Sequence, residues 1–382
     1  MINKTRVIFV INSDWFFLSH RLPLAIAARN AGADVTVVAG NTGKAAAIRD
    51  QGLEFISLPI SRSGTNPFTD AGTLIFLFSL YRRLRPDLVH HVTVKPVIYG
   101  SLAARAVGGI AVVNAISGLA YTFSSDRLHA RILRRLVTML YRFALGDKHS
   151  RTIFQNPDDR DDLIRLRVVR PDQTVLIRGS GVNCSVFKPT SEPDGIPVVM
   201  LPARMLREKG VEEFVQAAGL LLGSGHVARF VLVGDADPGN PGSIDRIQLE
   251  AWGREGLIES WGHHNDMASV LARANIVVLP AYREGLPKVL LEAAACARAI
   301  VTTDVPGCRE IVRSGVNGLL VPARDSRALA DAIATLLQSR ELSEGFGRAG
   351  RAIAVTEFAE EIVVQKTLAL YRDLLRDKWP NK

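Results

Sequence analysis

Residues 276–297 read IVVLPAYREGLPKVLLEAAACA. Ile276–Leu279 is apolar throughout, as a strand buried on both faces must be, and the run closes at Pro280. Lys288–Ala297 continues with a helical pattern, and Pro287 fits the first helical turn, where its missing N–H costs nothing. A buried strand, a short loop and a helix make the repeating unit of a parallel sheet covered on both faces.

The same alternation extends in both directions. Val198–Leu201, Phe230–Val233 and Ala299–Thr302 read as strands, and Val211–Leu222 and Ile244–Glu255 as helices. Nearer the N-terminus, Arg6–Asn12 (RVIFVIN) is a buried strand, and Leu22–Asn30 is a helix stopped by Gly32. Further strands follow at Asp34–Ala39, Leu53–Ser57, Asp87–His91, Ala111–Ala115, Thr152–Gln155 and Thr174–Ile177. The Pro-rich, polar stretch Lys188–Pro197 (KPTSEPDGIP) reads as a linker. The expected organisation is therefore α/β: two doubly wound parallel-sheet domains over residues 1–187 and 188–358. Residues 359–382 carry an amphipathic helix, Ala359–Lys378, expected to pack back toward the first domain. No fixed-period repeat or low-complexity tract interrupts the pattern.

Length agrees, since 382 residues make two or three domains at roughly 150 residues each. A chain 47% hydrophobic and 22% charged is ordinary globular protein. Its three cysteines, Cys184, Cys296 and Cys308, form no CxxC pair, which excludes a zinc knuckle or a disulfide framework and suits a reducing cytosol. The opening MINKTRVIFV lacks a signal-peptide cleavage site, and no apolar run approaches the roughly 18 residues of a membrane span.

The net charge of +9 is unevenly placed: residues 1–170 carry +11 and residues 171–382 carry −2. A basic half beside a neutral one implies an anionic partner for one domain: nucleic acid, acidic lipid or a phosphorylated substrate. Two stretches supply much of this charge. Arg127–Leu145 (RLHARILRRLVTMLYRFAL) sets five arginines near one helical face, and LIFLF at 74–78 precedes YRRLR at 81–85. Both read equally as membrane-interface helices and as sheet-covering helices with a solvated basic face.

Ligands of open α/β sheets bind beyond the carboxyl ends of the strands. In the second half that rule selects the stretches after Leu201, after Val233, around Trp261–His264 and after Leu279. The first, Pro202–Gly210 (PARMLREKG), brings Arg204 and Lys209 into a loop ahead of a helix. A planar guanidinium and a point-charge ammonium can grip a diphosphate there, although two loop cations are more commonly solvated surface charges. The loop after Leu279 is more specific. Gly285 permits close backbone approach, and the helix end at Pro287 offers amides to a phosphate. Glu284 at the loop tip can touch the group attached to that phosphate, and Glu292, inside the helix, can accept from ribose hydroxyls.

The turn after the first strand, Asn12–Arg21 (NSDWFFLSHR), lacks GxGxxG, so no dinucleotide site is expected there. It offers aromatics, His20 and Arg21; the segment Asp87–Pro96 (DLVHHVTVKP) adds His90 and Lys95. Interior packing and ligand contact are both open for these residues.

Together these residues resemble the retaining glycosyltransferases of family 4, across nearly the whole chain and most strongly over 198–338. Arg204 and Lys209 match the family's Arg–Lys diphosphate clamp, and Glu284 and Glu292 its E-x7-E pair. YREGLPKVLLEAAAC, TTDVPGCREIV and NGLLVPARD continue the likeness. In the first half, DWFFLSHRLPLA, HHVTVKPVIYGSLAAR and NAISGLAYTF are similar to a subgroup acting on polyprenyl-diphosphate-linked or related surface-glycan acceptors. There are departures: Asp14–Arg21 replaces a glycine-rich loop, and Ser117, before Gly118, stands where the family often has histidine after the fourth strand. Cys296-Ala297-Arg298-Ala299 replaces the usual Cys-Gly-Arg-Pro, and Ala281 a usual serine.

The resemblance implies the GT-B fold, two Rossmann-like domains facing a cleft. It implies a UDP-linked sugar donor, transfer with retention by front-face attack, and no cofactor or metal. Arg204, Lys209 and Glu284 would be catalytic; Gly285, Leu286, Pro287 and Glu292, with Gly262 and His263, would complete the donor site. His20, Arg21, His90, Lys95, Ser117 and Gly118 are the acceptor-side candidates. The acceptor would be a lipid-linked glycan, with the basic domain on the anionic cytoplasmic face of the membrane. A non-hydrolysing nucleotide-sugar epimerase of the same fold, or a transferase with a soluble acceptor, is the alternative. A PLP-dependent phosphorylase would be longer, and no RRM, KH or zinc signature supports nucleic-acid binding.

Overall fold

The computed structural model describes residues 4–61, 66–118 and 128–378. The chain forms two compact units, residues 1–180 with 361–382 and residues 181–360.

The first unit holds seven parallel strands: β1 (Arg6–Ile11), β2 (Asp34–Ala39), β3 (Glu54–Ser57), β4 (Leu88–Val92), β5 (Ala111–Ile116), β6 (Ser150–Phe154) and β7 (Thr174–Leu176). Their spatial order is β3-β2-β1-β4-β5-β6-β7, which places a topological switch point between β1 and β4. Strand residues divide alternately between the faces. Val7, Phe9 and Ile11 pack in one apolar cluster, and Ile8 and Val10 in another with Leu77, Leu80 and Tyr81 of the helix Pro67–Leu84. The C-terminal helix, Glu360–Lys378, lays Val363, Val364, Leu368, Tyr371 and Leu374 into the Val7 cluster, so its apolar stripe completes this unit's core.

The second unit holds six parallel strands: β8 (Val198–Pro202), β9 (Arg229–Val233), β10 (Glu259–Gly262), β11 (Ile276–Leu279), β12 (Ala299–Thr303) and β13 (Gly318–Val321). Their order, β10-β9-β8-β11-β12-β13, sets the switch point between β8 and β11. Val198, Met200, Val277 and Leu279 face one core, and Val199, Leu201, Ile276 and Val278 the other.

The strands expected from sequence lie within two residues of these bounds. β10 and β13 were not legible as strands. Both are four-residue edge strands, only partly buried, and so lack a continuous apolar run. The expected linker is corrected. Lys188–Pro197 lies within the second unit, where Asn275 donates to Glu192 and to the Pro193 carbonyl, both at 3.2 Å. Arg298 donates to Thr190 and to the Ser191 carbonyl, fastening the same segment. The units therefore meet at 180/181 and 360/361, rather than at 187/188 and 358/359. Of the basic stretch 127–145, Arg127 lies outside the described residues, as do the side chains of Arg131, Arg134 and Arg135. The backbone of Leu128–Leu145 is helical.

Candidate active site

In the second unit the loops after β8, β9, β10 and β11 leave the same edge of the sheet, and close backbone approaches stitch them together. Gly210 (φ +73°) sits so near β11 that a Cβ would lie 2.1 Å from the Pro280 carbonyl oxygen. Gly234 (φ +133°) meets Ala203 as closely, at 2.0 Å. Hydrogen bonds run from Tyr282 N to Glu208 O (2.9 Å), from Met205 N to Asp235 O (3.0 Å) and from Gly234 N to Gly262 O (2.8 Å). Only glycine allows both the contact distance and the left-handed backbone at positions 210 and 234.

This stitching fixes the side chains. Lys209 ends a short 3-10 turn after β8, and its ammonium donates to Glu284 Oε1 in the loop after β11. Both side chains are largely covered, at 20% and 13% exposure. Glu284 is supported from behind, where its amide donates to the Pro306 carbonyl at 3.3 Å and Gly307 (φ +81°) packs against the Glu284 and Gly285 carbonyls. Gly285, Leu286 and Pro287 are buried and lead into the helix Lys288–Ala295, whose first turn no side chain caps. Pro287 is the cap residue itself, one position before the helix. Glu292, inside that helix, is 7% exposed with Lys288 Nζ at 3.5 Å. Burial raises its carboxyl above the usual range, against the opposing pull of Lys288.

Arg204 leaves β8 with Lys209 but pairs elsewhere, its Nη1 donating to Asp237 Oδ2 at 2.7 Å. The two expected clamp cations thus share a strand end and engage different carboxylates. Asp237 was not singled out from sequence, because nothing in the Pro- and Gly-rich loop Asp235–Gly242 (DADPGNPG) sets it apart until the loops are placed side by side. Gly262 (φ +67°) closes β10 at the same edge, with its Cβ position 3.8 Å from Asp235 Oδ1, and His263 beside it is exposed.

In the first unit the structure gathers three of the six acceptor-side candidates. His20, Arg21 and His90 line one cavity of about 20 Å³, together with Gln155, Ser180 and Thr367. His20 stacks on Phe16 at 4.0 Å between ring centres. His90 is buried between Phe9 and Tyr371, whose hydroxyl meets its Nδ1. Burial, then Arg21, then His91 lowers the His90 imidazole well below its ordinary value, so it is neutral at physiological pH. Lys95 is not in this group; it pairs with Asp70 at 2.8 Å. Ser117 and Gly118 follow β5, the fifth strand rather than the fourth, and do not line the cavity.

Asp14 is a shaping residue that sequence reasoning quoted without a role. Fully buried, it accepts from Thr42 N (2.9 Å), the Thr42 hydroxyl and Lys44 N (2.8 Å), tying the loop after β1 to that after β2. Burial raises its carboxyl, but the hydrogen bonds from Thr42, Lys44 and Trp15 outweigh it and hold the group below the carboxylate range.

Residues 196–339 match the family model described as "Glycosyl transferases group 1", and residues 6–156 match "Glycosyl transferase 4-like". The chain is a glycosyltransferase. This transferase is 28% identical over 382 aligned residues, 94% of its length and 99% of the relative's, to N,N'-diacetylbacillosaminyl-diphospho-undecaprenol alpha-1,3-N-acetylgalactosaminyltransferase of Campylobacter jejuni. Its architecture matches the sucrose-phosphate synthase of Thermosynechococcus elongatus with a TM-score of 0.83 at 21% identity, over 98% of this chain and 100% of that one. Anabaena HepE in complex with UDP-glucose gives a TM-score of 0.79 at 18% identity, over 96% and 99%. The transferase thus shares the GT-B architecture, two parallel-sheet Rossmann-like domains.

Proposed function

We propose that the enzyme moves a sugar from a UDP-linked donor, with retention at the anomeric carbon, onto a glycan carried by a membrane-bound polyprenyl diphosphate. One observation carries the donor half of this reading. Lys209 and Glu284 meet at the switch point beside an uncapped helix end, with Glu292 buried farther along that helix. As the anomeric C–O bond breaks, charge grows on the departing diphosphate; Lys209, Arg204 and the free N–H groups at the start of the helix Lys288–Ala295 stabilise it there. Glu284 orients the donor sugar and Glu292 accepts from the ribose. The acceptor oxygen attacks on the face the diphosphate leaves, and its proton passes to the leaving phosphate oxygen. The cations carry the charge that a divalent ion would otherwise balance.

The acceptor half is supported by the Campylobacter relative, whose name specifies an undecaprenol-diphosphate-linked sugar and which aligns over almost its full length. A UDP donor is supported by HepE, solved with UDP-glucose. Among the described residues no helix is long and apolar enough to cross a membrane. Contact with an anionic cytoplasmic surface is supported instead by the outer face of the helix Pro67–Leu84, where Phe68 (86% exposed) and Ile75 (65%) lead to Arg82 and Arg83.

Donor consumption followed with and without a polyprenyl-diphosphate-linked sugar, in EDTA, tests this reading. Consumption is expected only with the acceptor, unchanged by EDTA, and with the donor's anomeric configuration kept in the product. Acceptor-independent conversion of the UDP-sugar would indicate an epimerase, and an inverted product would exclude retention.

A further inference from the structure

The cavity of the first unit contains a charge that the fold leaves uncompensated. Arg21 is 6% exposed, yet its side chain's only hydrogen bond among the described residues runs from Nη1 to the neighbouring His20 carbonyl, at 2.9 Å. Its Nε is buried without a partner, and no carboxylate among the described residues pairs with the guanidinium. Arg298 shows how this protein neutralises a buried arginine that only supports structure. Fully buried, it donates from Nε and Nη2 to the carbonyls of Leu271, Ala272 and Ser191 and to the Thr190 hydroxyl, so that only Nη1 is left without a partner. Arg21 has no such cage. A guanidinium out of water and without a counter-charge is among the costliest groups a fold can carry, so it points to an anion.

Three further observations converge on the same space. His90, 1% exposed, has its Nε2 buried and unpartnered, while its Nδ1 is held by Tyr371. The seat requires the tautomer in which the Tyr371 hydroxyl donates to Nδ1 and the neutral ring carries its proton on Nε2, making it a second donor. Arg21 is also the cap residue of the nine-residue helix Leu22–Asn30, which has no acidic residue in its first turn and whose Pro23 and Leu24 line the cavity. That helix end adds positive potential. Lastly, about 20 Å³ admits one water-sized group, too little for a sugar ring or a nucleotide but enough for an oxygen of a phosphoryl group.

We propose that Arg21 and His90 form an oxyanion seat that receives a phosphoryl oxygen, supplied in turnover by the diphosphate of the lipid-linked acceptor. The source rests on the transferase reading above; the anion chemistry rests on the cavity alone. The seat places a second anion-binding element in the basic unit, apart from the cations of the donor loops.

The test uses the full chain and two variants. R21K keeps the charge but loses the planar fork; R21Q removes both. Inorganic phosphate and diphosphate are titrated at constant ionic strength against a chloride control, with thermal unfolding as the readout. The wild type is expected to be stabilised saturably, with the response reduced in R21K and absent in R21Q. In the transfer assay, R21K should raise KM for the diphosphate-linked acceptor by about 10- to 100-fold, as for loss of one charge-assisted hydrogen bond, and leave KM for the UDP-sugar within about twofold. Should R21Q fail to fold, R21K and H90Q carry the comparison. A phosphate response of equal size in wild type and R21K, or an unchanged acceptor KM, overturns the seat even if transfer proceeds. An Arg21-dependent phosphate response in a protein that does not transfer to the diphosphate-linked acceptor upholds the seat and removes the proposed acceptor.

Discussion

Glu292 is buried at a cost to the protein that holds it. Burial raises its carboxyl pKa in the folded chain, with Lys288 opposing, while the unfolded chain keeps an ordinary glutamate. Between those two values the folded state binds more protons than the unfolded one, so stability falls as pH rises through that window. Replacing the group with its neutral isostere removes this term. E292Q is expected to raise the melting temperature by about 2–4 °C at pH 8, with the gain shrinking toward pH 5, while UDP binding weakens. Differential scanning at the two pH values checks it; an equal gain at both, or none, would show that burial of the charge is not what this residue contributes. The Lys209–Glu284 pair differs, since each partner there already holds the other's charge. Its legibility differed too. The E-x7-E spacing and the Arg–Lys loop could be read from the chain, whereas the partners chosen, Glu284 for Lys209 and Asp237 for Arg204, depend on how loops 30 or more residues apart are brought together.

At the scale of elements, the strands buried on both faces were readable to within two residues because nothing but a continuous apolar run satisfies them. Edge strands β10 and β13 were not, and the segment 188–197 reads as a linker until Asn275 and Arg298 are seen to hold it. The helix Lys288–Ala295 is shorter than its sequence pattern, and its end has a physical reason. Ala297 adopts φ +57°, a left-handed conformation that costs an L-residue roughly 1–2 kcal/mol. The backbone there cannot relax freely, since the Ala297 carbonyl oxygen would lie 2.1 Å from a Cβ on Gly347. A297G is therefore expected to stabilise the second unit by about 0.5–1 kcal/mol, the strain relieved being partly offset by the entropy glycine adds to the unfolded chain. Chemical denaturation measures this directly, and a loss of stability would show that the left-handed turn carries no strain. The first-unit candidates illustrate the converse limit. His20, Arg21 and His90 come from separate stretches that the sheet brings to one cavity, while Lys95, equally prominent in sequence, is held by Asp70.

Across the whole molecule the charge is divided as the work is. The near-neutral half carries the loops of Arg204 and Lys209, where the proposed donor would sit, and the +11 half carries Arg21 and the outward face of Phe68, Ile75, Arg82 and Arg83. If that face meets lipid, the protein should sediment with vesicles rich in anionic lipid and not with neutral ones. Release is expected near 1 M salt, where the Debye length is about 3 Å, and F68S/I75S should weaken binding at low salt. Equal sedimentation with neutral vesicles would contradict an electrostatic contact. The account as a whole stands on Lys209 as the cation that meets the departing diphosphate. The most direct measurement is turnover of K209A with a UDP-sugar and a polyprenyl-diphosphate-linked acceptor, on protein whose circular dichroism matches the wild type. A fall in kcat of roughly 10²–10³-fold is the expected result, as for loss of one preorganised charge-stabilising group, and near-normal turnover would contradict the account.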